Sequence, residues 1–349
     1  MSFDRNDYLS WYVPRIMRHD DAVNLHSSGV PSIDPDSLDV PGGDPWAHVP
    51  RFEETLSAWL GLTPEEVVFT PGATGGTLLA LLTLARQGSE LLVEAPMYEP
   101  MVRQAERLGR VGRLERRGPG FELPLEEARE RITEETAVVM ITEPHNPSGR
   151  YAPREQVLEL VELSRAQGAT VLVNEVYLGY GDRPSYHGVA DNVVVVSSLS
   201  KLMGAYWARL GWLSARGDTA DRLRGAHANM SMGTKPAAAA GVAILATASE
   251  RRREAADLAA AKLRAVDEWV ASTPGLSWLP PEGPGFGLVA LPDGADDVAL
   301  AERLHDERGV LTVPGSMFGC PGALRIAWLQ AGDRLEVGLA VVAEELART

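Results

Sequence analysis

Five runs of β-forming residues, each closing on small or polar side chains and most followed by a helical segment, constrain this chain more than any other feature. They are EVVFTPG from residue 66, ELLVEAP from 90, TAVVMITEP from 136, TVLVNEVY from 170 and NVVVVSSLS from 192. Their apolar residues run on without alternation, as in strands covered on both faces. Between them lie TGGTLLALLTLARQG, MYEPMVRQAERLG and PREQVLELVELSRAQG. Ahead of them, RFEETLSAWLGLTPEE has apolar residues at 52, 56, 59 and 60, a helical spacing. Such a chain predicts an α/β fold, a mainly parallel sheet with helices on both faces.

After about residue 235 the texture changes. A helical stretch over 236–272 carries ERRREAADLAAAKLRAVDEWV, with a charged outer face. Short pieces follow: GLVALP, DDVALAERLHDERG, VLTVPG, ALRIAW and a last helix, RLEVGLAVVAEELA. This α+β pattern predicts a second, smaller domain, with an irregular N-terminal segment packed on it. The expected division is 46–240 for the large domain, and 1–45 with 241–349 for the small one.

At 349 residues the chain is long enough for two domains. Its net charge of −15 argues against nucleic acid or an anionic membrane as partner. One cysteine, Cys320, excludes an internal disulfide framework and a cysteine metal site. The seven histidines lack metal-ligand spacing, so no metal is assigned. The first residues are charged and lack the apolar core of a signal peptide, and no apolar run approaches the roughly 20 residues that span a bilayer. A cytoplasmic protein is expected.

Lysine occurs only at 201, 235 and 262, which draws attention to SSLSKLMGAYWARLGW, residues 197–212. Lys201 follows a buried strand, flanked by Ser198 and Ser200, with Arg209 eight residues on. A desolvated lysine at a strand end has a lowered pKa and can form a Schiff base. Small hydroxyls and an arginine beside it suit a phosphate. In FTPGATGGTLLALL, small residues join a strand to a helix, where backbone N–H groups and the helix dipole make an anion site. It matches neither of the glycine-rich nucleotide fingerprints. TVLVNEVY ends in Asn174 and Tyr177, polar groups at the strand end where α/β sheets bind ligands.

Taken in order, these motifs resemble the aspartate-aminotransferase superfamily, the fold-type I enzymes dependent on pyridoxal 5′-phosphate (PLP). The resemblance runs over most of the chain. It implies a large domain with a seven-stranded, mainly parallel sheet and a small α+β domain from both chain ends. Lys201 then resembles the Schiff-base lysine, with Ser198, Arg209, Ala73 and Thr74 around the cofactor phosphate. Tyr98 of EAPMYEP matches an aromatic that stacks on the pyridine ring. Asn146 of N-P-x-G and Tyr177 match donors to the cofactor's phenolic oxygen. Arg325 of PGALRIAW matches the arginine that clamps the substrate carboxylate, beside Asn146, and Gly29 of NLHSSGVPSI would let backbone approach the substrate.

One position departs from the family. Three residues before Tyr177 the family carries an aspartate that pairs with the protonated pyridine nitrogen, and here stands Asn174. A neutral amide either accepts from N–H⁺ without a full charge or donates to an unprotonated nitrogen, giving a weaker electron sink. Glu175 should point the other way and have no catalytic role.

The resemblance implies a homodimer with its active site at the interface. The stretch MSMGTKPA, residues 230–237, is a candidate for crossing between subunits, and either Trp46 or His48 for reaching the neighbouring phosphate site. Ser27, Ser28 and Gly29 are locally similar to capreomycidine synthase, a relative that cyclises a hydroxylated arginine. The activity implied is chemistry at Cα of an amino acid through Lys201, by an aminotransferase-like enzyme of specialised biosynthesis. The alternatives are a cyclase or β/γ-elimination enzyme, and a non-catalytic PLP-fold protein, which the retained Lys201 disfavours.

Overall fold

The structure, a computed structural model, describes residues 7–17, 21–118, 120–230 and 237–348. The chain opens with α1 (Asp7–Ile16), a short strand β1 (Val23–Asn24) and α2 (His48–Leu60). Then follow β2 (Val67–Pro71), α3 (Gly72–Leu84), β3 (Glu90–Ala95), α4 (Glu99–Leu108), β4 (Arg110–Glu115) and α5 (Leu125–Arg131). Next come β5 (Thr136–Thr142), α6 (Arg154–Ala166), β6 (Thr170–Asn174), β7 (Val193–Ser198), α7 (Ser200–Met203), β8 (Leu210–Ser214) and α8 (Gly217–Met230). The remainder is α9 (Ala238–Ala246), α10 (Ala248–Ser272), β9 (Phe286–Ala290), α11 (Asp297–Asp306), β10 (Val310–Leu311), β11 (Val313–Pro314), β12 (Ala323–Ala327) and α12 (Leu335–Leu346).

The five apolar runs become β2, β3, β5, β6 and β7 of a seven-stranded sheet, ordered β2-β8-β7-β6-β5-β3-β4. Only β8 runs antiparallel to its neighbours. Residues along each strand alternate between two cores. Leu172, Val194 and Val196 pack with residues of α3, α4 and α8. Val171, Val173, Val193 and Val195 pack with residues of α5 and α6. Both faces are therefore covered, which explains the unbroken apolar runs; each such side chain, fully buried, contributes about 1.5–3 kcal/mol. β4, RVGRLE, is an edge strand with alternating burial, so it carries no continuous apolar run.

β11, β12 and β9 form a smaller antiparallel sheet, and β1 pairs with β10, which joins the N-terminal segment to the C-terminal part. No helix among the described residues is long and apolar enough to cross a membrane.

Two local expectations are corrected. Residues 7–16 are helical rather than irregular, because Tyr8, Trp11 and Tyr12 form one apolar stripe. Glu99 caps that helix, accepting from Asp7 N–H at 3.2 Å and Tyr8 N–H at 2.6 Å. The single helical stretch expected over 236–272 is, among the described residues, two helices, α9 and α10, broken at Thr247. There the hydroxyl donates to Ile244 O at 3.2 Å and competes with the backbone ladder.

Candidate active site

The parallel strands β2, β3, β5, β6 and β7 share one direction, so their C-terminal ends converge. From those ends issue the α3 N-terminus, Tyr98, Asn146, Asn174 with Tyr177, and Ser198 with Lys201. Arg209 precedes antiparallel β8 and so lies at the same end. A cavity of about 350 Å³ opens there. Ala73, Thr74, Tyr98, Asn146, Asn174, Tyr177, Ser198, Lys201, Arg209 and Arg325 all line it.

One end of the cavity is built for an anion. Helix α3 starts at Gly72 after Pro71 with no side-chain cap, leaving its first N–H groups for a ligand. Gly72 has φ +73°, and a Cβ there would lie 2.6 Å from Arg209 Nη2. Only glycine leaves room for the guanidinium over this turn. Arg209 is itself at φ 52°, a left-handed conformation that costs on the order of 1–3 kcal/mol in a non-glycine residue. Ser200 Oγ is buried without a partner, while Ser198 Oγ accepts from Ser200 N–H at 3.4 Å. An orphaned hydroxyl, an arginine and open helix N–H groups fit the phosphate of PLP.

Lys201 is half-buried, and desolvation with the charges of Arg325 and Arg209 lowers its pKa to about 8. Its Nζ lies 5.5 Å from the centre of the Tyr206 ring. Arg325 projects from β12 of the smaller sheet. It donates through Nη1 to Asn146 Oδ1 at 3.1 Å and through Nη2 to His26 O at 2.7 Å. Its Nε is buried with no partner, a donor suited to a substrate carboxylate.

Tyr177 OH and Ser28 Oγ hydrogen-bond at 2.8 Å, and burial pushes the Tyr177 phenol up. Tyr98 packs edge-on against Tyr8 at 5.1 Å. Glu175 points away from this group: it accepts from Ser185 Oγ and Tyr186 N–H, each at 2.7 Å. Asn174 Oδ1 accepts from Val176 N–H at 3.1 Å, and Nδ2 donates to Met101 Sδ at 3.0 Å.

Gly29 does not line the cavity. A Cβ there would sit 2.3 Å from Tyr206 OH and 2.8 Å from Lys201 Cα, so the backbone it admits is that of Lys201. Trp46 is 64% exposed, whereas His48 is buried with Nε2 3.1 Å from Gly42 O. Of MSMGTKPA, residues 231–236 lie outside the described residues.

Several lining residues were absent from the sequence reading. Tyr8 and Tyr12 reach the cavity from α1, and Tyr206 from beyond α7. The spacing of Tyr8, Trp11 and Tyr12 was the available signal for α1. His26 Nδ1 lies 2.7 Å from Tyr12 OH; burial and the Arg325 charge take its pKa down to about 3. The cavity wall is anchored by an ion triad the sequence hid. Arg116 Nε donates to Glu94 Oε2 at 2.6 Å and Nη2 to Glu143 Oε1 at 2.8 Å, all three side chains at most 1% exposed. A larger cavity, about 410 Å³, takes in Glu175, His187 and Ser185 but not Lys201 or Arg325. No group of three histidine, cysteine, aspartate or glutamate side chains among the described residues is placed to hold a metal.

Comparison with known proteins gives this geometry its class. The family model for aminotransferase class I and II matches residues 42–341, and the chain belongs to that family. Capreomycidine synthase of Streptomyces vinaceus is 30% identical over 312 residues, covering 85% of this chain and 78% of that protein. An arginine–pyruvate transaminase of Pseudomonas aeruginosa is 30% identical over 299 residues, covering 81% and 72%. A PLP-dependent aminotransferase from Streptococcus suis superimposes with a TM-score of 0.84 at 24% identity, covering 100% of this chain and 98% of that one, and shows the fold. The protein is thus a PLP-dependent enzyme with an aspartate-aminotransferase-like fold.

Proposed function

We propose that this enzyme acts at Cα of an amino acid through Lys201, as an aminotransferase-like enzyme of specialised biosynthesis. The observation that carries the reading is the placement of Lys201, half-buried in the cavity under the charges of two guanidinium groups and held near pKa 8, so that a neutral amine is accessible. PLP, when bound, supplies an aldehyde for an amine and a ring that draws electrons from the attached Cα.

The remaining roles fall to side chains of the chain itself. The α3 N-terminus, Ser198, Ser200 and Arg209 would hold the phosphate, with Ala73 and Thr74 in the turn. Tyr177 and Asn146 would donate to the phenolic oxygen, and Tyr98 would lie against the ring. Arg325 binds the α-carboxylate through its unpartnered Nε. Lys201 Nζ would take the Cα proton of the amino acid and could return it. A homodimer belongs to this reading; the exposed Trp46 supports it as the residue offered to a second copy. So does a division into 46–240 and a smaller domain of 1–45 with 241–349, supported by the pairing of β1 with β10.

A second reading, cyclisation or loss of a β- or γ-substituent, is favoured by the likeness to capreomycidine synthase. One experiment separates them. Borohydride reduction of the PLP-loaded enzyme should leave the label on Lys201. In parallel, unreduced PLP-loaded enzyme is mixed with single amino acids, and keto acid, ammonia and cyclised product are followed separately. Keto acid supports the first reading, the other products the second, and a label elsewhere removes both.

A further inference from the structure

We infer that Asn174 presents its amide Nδ2–H, rather than its carbonyl, to the ring nitrogen of bound PLP and so holds that nitrogen unprotonated. The inference rests on the PLP reading and moves from which cofactor is bound to the electronic state in which it is held.

The neighbours of the amide set its orientation. Val176 N–H donates to it at 3.1 Å in a buried position, and a backbone donor requires an oxygen there. The other end is then Nδ2, which meets Met101 Sδ at 3.0 Å. A thioether is a weak acceptor and Nδ2 carries two hydrogens, so donor capacity is left for the cavity that Asn174 and Met101 both line. Turning the amide over would set NH₂ against Val176 N–H and strand a buried backbone donor.

The connectivity of PLP brings its nitrogen to this wall. The nitrogen lies para to the carbon bearing the aldehyde, with the phosphate arm and the phenolic oxygen flanking that carbon. Assigning the aldehyde to Lys201, the phosphate to Arg209 and the α3 N-terminus, and the phenolic oxygen to Tyr177 and Asn146 leaves the nitrogen to Asn174.

A protonated nitrogen would also lack a counter-charge. The described residues lining the cavity include Lys201, Arg209 and Arg325 and no carboxylate. Glu175 is turned to Ser185 and Tyr186, and Glu143 to Arg116. The phosphate would answer Arg209 and the substrate carboxylate Arg325, which leaves no carboxylate of the chain to face a protonated ring nitrogen. The ring is then a weaker electron sink. Reactions that discharge Cα at once, by expelling a β-substituent, suffer less than transamination, which keeps the electrons on the ring until C4′ takes a proton.

The test is nitrogen-15 NMR of the holoenzyme loaded with PLP labelled at the ring nitrogen, in wild type and Asn174→Asp. The wild-type resonance should stand at the position of an unprotonated pyridine across neutral pH. In Asn174→Asp it should move to the pyridinium position, and single-turnover conversion of a bound amino acid to its keto acid should quicken. A wild-type resonance at the pyridinium position overturns the inference and leaves the cofactor assignment standing. An Asp variant whose resonance coincides with wild type removes Asn174 as the determinant. A protein that takes up no labelled PLP overturns both this inference and the proposed function. If the Asp variant does not fold, the wild-type spectrum decides against a free PLP–lysine adduct titrated as reference.

Discussion

Arg325 Nη1 donates to Asn146 Oδ1 at 3.1 Å, tying an arginine on β12 of the smaller sheet to the loop after β5 of the larger one. The same guanidinium holds His26 O through Nη2, so one N–H of each terminal nitrogen is spent on orientation, and the unpartnered Nε with the remaining Nη hydrogens is left for a ligand. A clamp fixed in this way by buried partners needs little reorganisation to accept a carboxylate.

Replacing Arg325 by methionine should therefore weaken amino-acid binding about 10- to 100-fold, the equivalent of one charge-assisted interaction at roughly 1.5–3 kcal/mol. Spectral titration of the PLP-loaded enzyme with an amino acid and with the corresponding amine is the check. Equal losses for both would show that Arg325 does not read the carboxylate.

Lys201 should show its depressed pKa directly. Capture of pyridoxal, which lacks the phosphate, by the cofactor-free protein should accelerate as pH rises through about 8, where Nζ loses its proton. Arg325→Met removes one of the charges that lower it, so the midpoint should move upward. A wild-type midpoint in the ordinary lysine range would contradict the electrostatic account.

Gly72→Ala probes the anion end. The new Cβ would lie 2.6 Å from Arg209 Nη2 at a backbone φ of +73°, and the strained conformation alone costs about 1–2 kcal/mol. PLP affinity should fall about tenfold or more while pyridoxal affinity holds. Parallel binding measurements with the two ligands decide, and a matching loss for pyridoxal would point to general misfolding.

The ion triad should be a stability element. Arg116→Met leaves Glu94 and Glu143 buried without their partner and should destabilise the fold by about 3–5 kcal/mol in denaturant unfolding. Converting both glutamates to glutamine in the same chain should recover most of that loss. Failure of the triple variant to recover would mean that the arginine acts through packing.

These elements also mark what could be read ahead of the structure. The central strands were legible because burial on both faces forces continuous apolar runs, and the site because small and polar residues interrupt those runs at the ends of β2, β5, β6 and β7. The triad was not, since Glu94, Arg116 and Glu143 meet only through the lateral order of β3, β4 and β5. Nor was α1, whose aromatic stripe is interrupted by charges and by Pro14. Asn174 was visible as a departure, but the direction of its amide depends on a backbone N–H two residues on.

Glu175 offers a last test, through pH. Burial raises its carboxyl to about 7, against the hydrogen bonds from Tyr186 N–H and Ser185 Oγ. The folded state thus binds its proton more tightly than the unfolded chain does, so stability should be greatest below the unfolded value near 4.5 and decline as pH rises through about 7. Full ionisation corresponds to a loss on the order of 3 kcal/mol. Glu175→Gln keeps an acceptor for Tyr186 N–H and can donate to Ser185 Oγ, so it removes the titration without removing the contacts. Relative to wild type, the variant should gain stability as pH is raised from about 5 to 8. Glu143, lifted by burial to about 7 as well, should leave part of the wild-type slope in place. Denaturant midpoints at several pH values measure the difference, and parallel wild-type and variant curves would place the Glu175 pKa back in the ordinary carboxylate range.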